Sequence, residues 1–260
     1  MQLTIDTKIS AAKNASGRFD KAKKLKRKLE GTKKAITEME EKLRKEVKPE
    51  TKKKTEIKII DRKQEWFEKF KWFYTSLGLL VVGGRDAQTN DEAVKSHANP
   101  EDPVFHTEMP GSPFCIIQLE GKKQVDKKSL DETAQFCASN SRAWREQLNP
   151  CEVMEVKREQ LKKTGGLKAG SWMVLGKRNL YRVTLKLALG VTDDFLIMCG
   201  PLSAVEAKCT PICVLTPGDT TKEEVAKHVR DMIEKKMKLR FSTDTILRAL
   251  PPGSCHLNPA

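Results

Sequence analysis

The spacing of apolar positions divides the chain into a helical arm and a folded body. Between Ala22 and Leu43, apolar or small residues recur at alternating intervals of three and four, with charged residues on the other faces. This heptad stripe predicts a coiled-coil helix over residues 15–47, roughly 50 Å long at 1.5 Å per residue. A stripe so narrow requires a partner. We expect either residues 51–67, folded back as a hairpin with Ile57 and Ile60 on its seam, or a second copy of the chain.

From about residue 66 the pattern changes to short apolar runs separated by turns. Strands are predicted at 71–76, 79–82, 104–108, 114–119, 151–156, 171–175, 183–189, 195–199 and 212–215. Helices are predicted after capping boxes at 89–92 and 129–132, the second running to Leu148, and at 222–238 and 243–250. Because strands and helices intermix without a regular βαβ rhythm, we predict an α+β fold with a mixed β-sheet and packed helices.

These patterns predict three parts of the chain. Residues 1–65 form a basic coiled-coil arm, residues 66–182 form the α+β domain with the mixed sheet, and residues 183–260 form a small α/β C-terminal extension. The boundary at residue 66 follows the first dense cluster of aromatic residues, and the second boundary follows the last strand of the larger unit.

Charge is concentrated in the arm. The net charge is +14, and residues 1–70 hold 22 Lys and Arg against 12 Asp and Glu, a net charge of +10. Such an uneven distribution indicates a polyanionic partner, either nucleic acid or an anionic membrane surface. No apolar run approaches the 18 or so residues of a membrane span, and the first residues lack a signal-peptide pattern. Most of the seven cysteines lie in apolar runs, so we expect a reduced, cytoplasmic protein.

Candidate chemistry is sparse. The four histidines are not spaced with cysteines as zinc ligands are, and the glycine pairs are neither a P-loop nor a dinucleotide fingerprint. We therefore expect no metal, no cofactor and no catalytic activity. Arg85 and Asp86 are interpreted either as a catalytic pair or as an ion pair that fixes a turn. His106 is either a core histidine or, beside Glu108, a functional one.

Nucleic-acid contact has stronger signals. Gly176 precedes Lys177, Arg178 and Asn179 at a predicted strand end, where an open backbone favours approach to phosphate. Arg85 and Gln88 lie in another glycine-bearing turn. Residues 21–28 carry six cations in eight positions, typical either of a solvated helix face or of a finger laid along phosphates. The aromatic residues Trp72, Phe73 and Trp172 are candidates for base stacking or for core packing.

Five blocks in order carry a family resemblance: residues 66–73, 82–90, 104–113, 134–144 and 170–179. Together they resemble the NFACT-R family, the RNA-binding module of proteins that elongate stalled nascent chains on large ribosomal subunits. The resemblance covers about residues 62–182, and the chain is most similar to the stand-alone archaeal form. It implies structured RNA as partner, namely tRNA, rRNA or the ribosome surface. Pro110 and Glu108 depart from the residues often found in the long proteins.

Pattern and resemblance together give the candidate RNA contacts. They are Lys23, Lys24, Lys26, Arg27, Arg85, Asp86, Gln88, Asn90, His106, Gly111, Ser112, Lys177, Arg178 and Asn179. We expect a non-enzymatic RNA-binding protein that acts in translation or in ribosome-associated quality control. The alternatives are a coiled-coil adaptor that binds another protein and, less favoured, a nucleic-acid-processing enzyme. DNA is a further possible partner, and the arm is expected to pair with another helix or with itself.

Overall fold

The structure, a computed structural model, describes residues 10–46, 57–60, 62–121 and 124–259, with side chains from residue 40 to 46 and at 259 left undescribed. The chain divides into two compact units, residues 1–55 and residues 56–260. The α+β class that the sequence predicted is confirmed. The predicted boundary between residues 182 and 183 stays a prediction, since both sides of it contribute to one hydrophobic core.

The first unit contains the predicted long helix, α1, which spans Ala11–Glu46. Its predicted end at Val47 lies outside the described residues. The apolar stripe faces solvent, because the side chains of Leu25, Leu29, Ile36 and Met39 are between 52% and 70% exposed. The stripe predicts a helical partner, but the described side chains of this unit do not cover it.

The fold-back hairpin is wrong for the part of it that the structure describes. Residues 51–56 lie outside the described residues, but the next residues form a strand, β1, at Lys58–Ile59. This strand pairs in parallel with Leu239 and Arg240, far along the chain. This strand belongs to the second unit. Of the two partners predicted for the apolar stripe of α1, a second copy of the chain therefore remains.

The second unit contains helices and strands that are intermixed along the chain without regular alternation. Its helices are α2 Ala87–Ser96, α3 Lys127–Ser139, α4 Arg142–Arg145, α5 Leu202–Lys208, α6 Lys222–Met237 and α7 Thr243–Ala249. After β1, its strands are β2 Lys71–Tyr74, β3 Leu80–Gly83, β4 Pro103–His106, β5 Cys115–Ile117, β6 Cys151–Lys157, β7 Leu161–Lys162, β8 Met173–Val174, β9 Asn179–Val183, β10 Leu187–Val191, β11 Ile197–Gly200, β12 Thr210–Thr220, β13 Leu239–Arg240 and β14 Cys255–Pro259. Short 3-10 helices occupy Trp66–Lys69 and Arg158–Gln160.

Two large sheets organise this unit. The first has the order β2-β3-β5-β4-β6-β9, and the second has the order β11-β10-β12-β14. Every pairing in both sheets is antiparallel, so the predicted mixed sheet is corrected to antiparallel sheets, with parallel pairing confined to β1 and β13 among the described strands. Three of the neighbouring pairs, β2-β3, β4-β5 and β10-β11, are consecutive strands with short connections, which antiparallel pairing permits because it needs no crossover helix.

The two sheets meet where β2 passes β11. The Phe73 ring on β2 is fully buried and lies 4.6 Å, between ring centroids, from Phe136 of α3. Gly200 on β11 permits this contact, because a Cβ at that position would lie 3.0 Å from two atoms of Phe73. The core reading of Trp72 and Phe73 is therefore confirmed, since Trp72 is also only 8% exposed.

Several predicted boundaries differ from the structure. The helix predicted from residue 129 to Leu148 begins instead after the cap Asp126 and ends at Ser139. Asn140 there donates a side-chain hydrogen bond to Phe136 O, and Ser141 caps the separate helix α4. Short polar side chains that bond to nearby backbone compete with helix continuation, which explains the break. The predicted strand at 183–189 is replaced by β9 and β10, while β14 and α5 were not predicted.

We predict that Gly200→Ala destabilises the second unit by about 1–3 kcal/mol, because the added methyl group overpacks Phe73 in a closed core. Urea denaturation followed by far-UV circular dichroism measures the change. Gly165→Ala is the matched control, since a Cβ at that glycine meets nothing within 4 Å. Equal unfolding free energies for the two variants would contradict the packing described between the sheets.

Candidate functional site

A cleft of about 620 Å³ opens between the start of α2, the turn between β4 and β5, and the segment before β8. It gathers half of the candidate residues named from the sequence. Those that line it are Arg85, Asp86, Asn90, His106, Gly111, Ser112 and Arg178. Blocks that are far apart in sequence therefore form one surface.

The first wall is the N-terminal turn of α2, which a capping interaction shapes. Asp86, rather than the predicted Thr89, is the N-cap, and its carboxylate accepts a hydrogen bond from Thr89 N at 2.8 Å. The Thr89 hydroxyl in turn accepts from the backbone N–H of Asp86. These bonds lower the pKa of Asp86, with the backbone bond from Thr89 as the main cause. The carboxylate of Asp86 thus caps α2 and fixes this wall, and it is already engaged in hydrogen bonds within the protein.

Asn90 joins this wall to the neighbouring turn. Its Oδ1 accepts from Phe114 N at 2.9 Å, and its Nδ2 donates to Ser112 O at 3.2 Å. Gly84 makes room for the side chain, since a Cβ there would lie 2.1 Å from Asn90 Oδ1. The Ser112 hydroxyl is also engaged, accepting from Thr107 N. Asn90 and Ser112 therefore stabilise the walls of the cleft through hydrogen bonds to the protein backbone.

Arg85 points its guanidinium into the protein. Nη1 donates to Arg248 O at 2.6 Å, Nη2 donates to Phe70 O at 2.7 Å, and Nε donates to Lys69 O at 3.0 Å. Burial, followed by the nearby Arg248 charge, lowers the pKa of Arg85 to about 10. Neither of the interpretations offered for Arg85 and Asp86 as a pair matches these contacts, because each side chain bonds to other groups.

His106 presents an unpaired nitrogen in the cleft. It ends β4, and its ring stacks on Phe114 at 4.2 Å between centroids, with 22° between the planes. Among the described residues, its buried Nδ1 has no hydrogen-bond partner, and neither has the buried Oδ1 of Asn140, which also lines the cleft. Burial lowers the pKa of His106 to about 4, so the ring is neutral at pH 7. Two lining residues of the cleft therefore carry neutral, buried hydrogen-bonding atoms without a partner among the described residues.

Trp172 forms the opposite wall and is fixed from several sides. Its Nε1 donates to Asp91 Oδ1 at 3.0 Å, and the cations of Arg158 and Lys163 lie 5.1 and 5.5 Å from its ring centroid. The preceding Gly170 has φ +76, and a Cβ there would lie 2.7 Å from the Cα of Ala87. The segment before β8 is thereby packed closely against the start of α2.

The remaining candidates of the second unit lie at or beyond the rim. Arg178 forms an ion pair with Glu108 at 3.0 Å, and Asn179 Nδ2 donates to Glu155 Oε2 at 3.0 Å. Lys177 and Gln88 are exposed and do not line the cleft. Asn179 opens β9 instead of ending a turn, so its side chain is drawn onto the sheet.

The arm candidates belong to the other unit. Lys23, Lys24, Lys26 and Arg27 are all exposed on α1. Their charges are therefore open to solvent along one stretch of helix. Which macromolecule they contact stays a prediction.

Sequence reasoning missed Asn140 and Met154 as lining residues. The available signal for Asn140 was an Asn-Ser pair inside an otherwise helical pattern, a combination typical of a helix break. In the described parts of the chain, no group of three or more His, Cys, Asp or Glu side chains is arranged to hold a metal ion. Likewise, none of the described helices has the length and apolarity to cross a membrane.

Comparison with known families identifies the part of the chain that forms this cleft. Residues 69–176 match the model of the NFACT protein RNA binding domain. Over these residues the chain belongs to the NFACT-R family. Of the cleft residues, Arg178 alone falls outside the match. The NFACT-R domain therefore contains nearly all of the cleft, which agrees with the resemblance carried by the five sequence blocks.

Full-length relatives extend the similarity beyond this domain. The chain is 35% identical over 208 residues to the archaeal Rqc2 homolog aRqcH of Methanocaldococcus jannaschii, covering 77% of this chain and 30% of that protein. It is 34% identical to the ribosome quality control complex subunit NEMF homolog of Drosophila melanogaster, covering 74% and 20%. For the mouse subunit NEMF the identity is 33%, covering 61% and 15%. The chain thus spans less than a third of each relative's length.

A solved structure, the C-terminal part of the fibronectin/fibrinogen-binding protein from Streptococcus suis, is also similar. Its TM-score is 0.41 at 19% identity, covering 68% of this chain and 76% of that chain. A likeness at this level supports no inference about fold or function.

The neutral state of His106 gives a prediction about pH. Its pKa rises from about 4 in the folded NFACT-R domain to its ordinary value of 6.5 on unfolding. The unfolded chain therefore binds a proton first as pH falls, and stability is lost between pH 6.5 and 4, by about 3 kcal/mol for this group. We expect His106→Gln to remove this component when unfolding free energy is measured against pH.

The control is His228→Gln, which replaces an exposed histidine of α6. It is expected to keep the wild-type pH dependence. An unchanged slope between pH 6.5 and 4 in His106→Gln would show that His106 is not held neutral in the cleft.

Proposed function

We propose that this chain binds structured RNA and that the cleft of its NFACT-R domain is the recognition site. One observation supports the proposal above the others. The residues matched by an RNA-binding family model, 69–176, are those that build the three walls of the cleft. The family match depends on the sequence alone, and the cleft is defined by the folded structure. Both involve the same residues.

The chemistry of the cleft suits the sugar or base part of RNA better than its phosphates. The charged residues on its walls are two cations, Arg85 and Arg178, and two carboxylates, Asp86 and Glu108. Neutral His106 and the unpaired Oδ1 of Asn140 instead provide hydrogen-bonding groups of the kind that a ribose hydroxyl or a base edge satisfies. We infer that the cleft supplies selectivity and little of the overall electrostatic attraction.

Attraction to phosphate is assigned to cations outside the cleft. Lys177 and Lys168 are exposed near the segment that carries Trp172, and the exposed run on α1 adds Lys23, Lys24, Lys26 and Arg27. Phosphate contacts of this kind raise affinity for all RNAs alike and weaken steeply with salt. We therefore expect substitutions in the cleft to change the selectivity among RNAs, and substitutions of the outer cations to change the affinity for all RNAs.

The names of the relatives suggest the cellular setting. Several are subunits of the ribosome quality control complex, and the chain covers only their matching portion. We propose that the RNA is a tRNA or rRNA of the large ribosomal subunit, encountered during ribosome quality control in the cytoplasm. We also propose that the chain acts by binding and catalyses no reaction, since the histidine in the cleft is neutral and has no adjacent acid or base hydrogen-bonded to it.

A second function, as a protein-binding coiled-coil adaptor, is supported by the exposed apolar stripe on α1. Light scattering distinguishes self-association from a monomer, and a pull-down with and without RNase distinguishes a protein partner from an RNA one. A partner retained after RNase treatment favours the adaptor. Competition between RNA and DNA of equal length in the same binding assay tests DNA as a partner.

Replacing the four arm cations Lys23, Lys24, Lys26 and Arg27 by Gln is expected to weaken binding to all RNAs by a similar factor. The slope of log affinity against log salt should decrease by up to about 3, at roughly 0.7–0.9 per lost phosphate contact. Filter binding of tRNA at several salt concentrations measures both quantities.

A charge-conserving variant is the control, with each of the three lysines changed to Arg and Arg27 changed to Lys. It should keep the wild-type slope. If wild-type binding is insensitive to salt, or if tRNA is not bound at low salt, the proposal fails.

A further inference from the structure

A second pocket, which we name the basic pocket, lies behind the cleft. It has a volume of about 350 Å³, and its polar lining consists of Lys71, Arg85, Asn140, Lys222 and Arg248. Four of these residues are cations, and no carboxylate belongs to the described lining. Two carboxylates, Glu68 and Asp244, line an adjoining pocket that Lys71, Arg85 and Arg248 also border. The lining of the basic pocket itself keeps a local excess of positive charge, which a bound anion would reduce.

Two of the cations form the base of the pocket and are fixed by backbone carbonyls. Lys71 Nζ donates to the carbonyl oxygens of Leu250, Arg248 and Ala249, at 2.5, 3.0 and 3.5 Å. Three acceptors match the three N–H groups of an ammonium ion. Arg85 donates to the same Arg248 carbonyl. The charges at the base of the pocket are thus held in place without any neutralising carboxylate in direct contact.

The other two cations are available to a ligand. Among the described contacts, the side chains of Lys222 and Arg248 make no hydrogen bond or ion pair, and Arg248 is exposed. They line the same space as the fixed pair, and Arg248 is directly bonded to that pair through its carbonyl oxygen. Asp86 and Glu223 are the carboxylates adjacent in sequence to these cations, and neither lines the pocket.

The basic pocket adjoins the cleft. Gly84, Arg85 and Asn140 line both spaces, so a ligand in one lies against the wall of the other. Asn140 is 92% buried, given its 8% exposure, and its unpaired Oδ1 belongs to this shared wall. A ribose hydroxyl suits that oxygen as donor, while the attached phosphate suits the cations beyond it.

From this arrangement we infer that the basic pocket binds a phosphoryl group, with Lys222 and Arg248 as its direct donors, Arg85 as a fixed positive charge and Lys71 as a fixed hydrogen-bonding group of its lining. The source of the group is either the backbone of an RNA seated in the cleft or a free phosphate compound. The RNA source rests on the proposed function, whereas the pocket's affinity for phosphate does not.

The test uses the double variant Lys222→Gln and Arg248→Gln in the full chain. Both side chains lie outside the core, so the variant is expected to fold, and circular dichroism verifies this. The control, Lys227→Gln and Arg182→Gln, removes one Lys on α6 and one Arg on β9, both exposed and outside the pocket. Inorganic phosphate is titrated into each protein by calorimetry, and tRNA is then titrated in chloride buffer.

We expect phosphate affinity to fall at least about tenfold in the test variant and to be unchanged in the control, because two charge-assisted donors are lost. If tRNA affinity falls with it and phosphate competes with tRNA, the source is the RNA backbone. If phosphate binding falls while tRNA binding does not, the source is a free phosphate compound. Absence of phosphate binding in the wild type, or equal phosphate affinities in test and control, overturns the inference. Failure of wild-type tRNA binding alone would instead count against the proposed function.

Discussion

The contact of Lys71 and Arg85 with the last carbonyls of α7 is the constraint on which the site depends. A buried cation costs several kcal/mol unless its donors are satisfied, and here backbone oxygens satisfy them in place of carboxylates. These oxygens lie at the C-terminal end of a helix, where the partial charge is negative and cations are favoured. The first strand of the large sheet and the turn after β3 are thereby bonded to residues at the end of a helix 163 to 179 positions later in the chain.

This attachment also determines what each face of the Gly84–Arg85 turn can do. Because the guanidinium of Arg85 turns inward, the cleft side is left with neutral His106 and the capped start of α2. The inward side keeps an excess of positive charge, since carbonyl partners stabilise a cation without cancelling it. A selective neutral surface and a basic pocket therefore share one wall. Under the proposed function, this arrangement separates recognition of the RNA from attraction to its phosphates.

Much of the fold was predictable because its signals are local. The strands β2 and β3 follow from aromatic and β-branched residues bounded by glycine. The helix predicted at 222–238 is α6, which in the structure begins after a capping box at Thr221. Seven lining residues of the cleft were among the candidates, but nothing in the sequence showed that they would form one surface. The roles of individual side chains were less predictable. Arg85 was assigned to RNA because its turn is open, but its partners include the carbonyl of Arg248, which no local pattern indicates.

The helix break at Asn140 and the strand pairing of Asn179 were missed for different reasons. The side chain of Asn140 bonds locally, to Phe136 O four residues earlier, and the helical pattern of apolar residues masked that signal. The partner of Asn179 is Glu155, which only the folded chain brings near. Gly84 lies in the glycine-bearing turn assigned to RNA contact through Arg85 and Gln88, but the structure shows that it makes room for the side chain of Asn90. Local pattern identified the important segments, and tertiary contacts determined what each residue does there.

Crosslinking with mass spectrometry tests the central claim most directly. Bound tRNA is crosslinked to the full chain by ultraviolet light, and the modified peptides are identified. We expect crosslinks within the cleft walls, at His106 to Phe114 and at Gly170 to Trp172, together with peptides of α1. Crosslinks confined to α1, or to the outer faces of α6 and β9, with none from either cleft wall, would contradict recognition of RNA by the cleft.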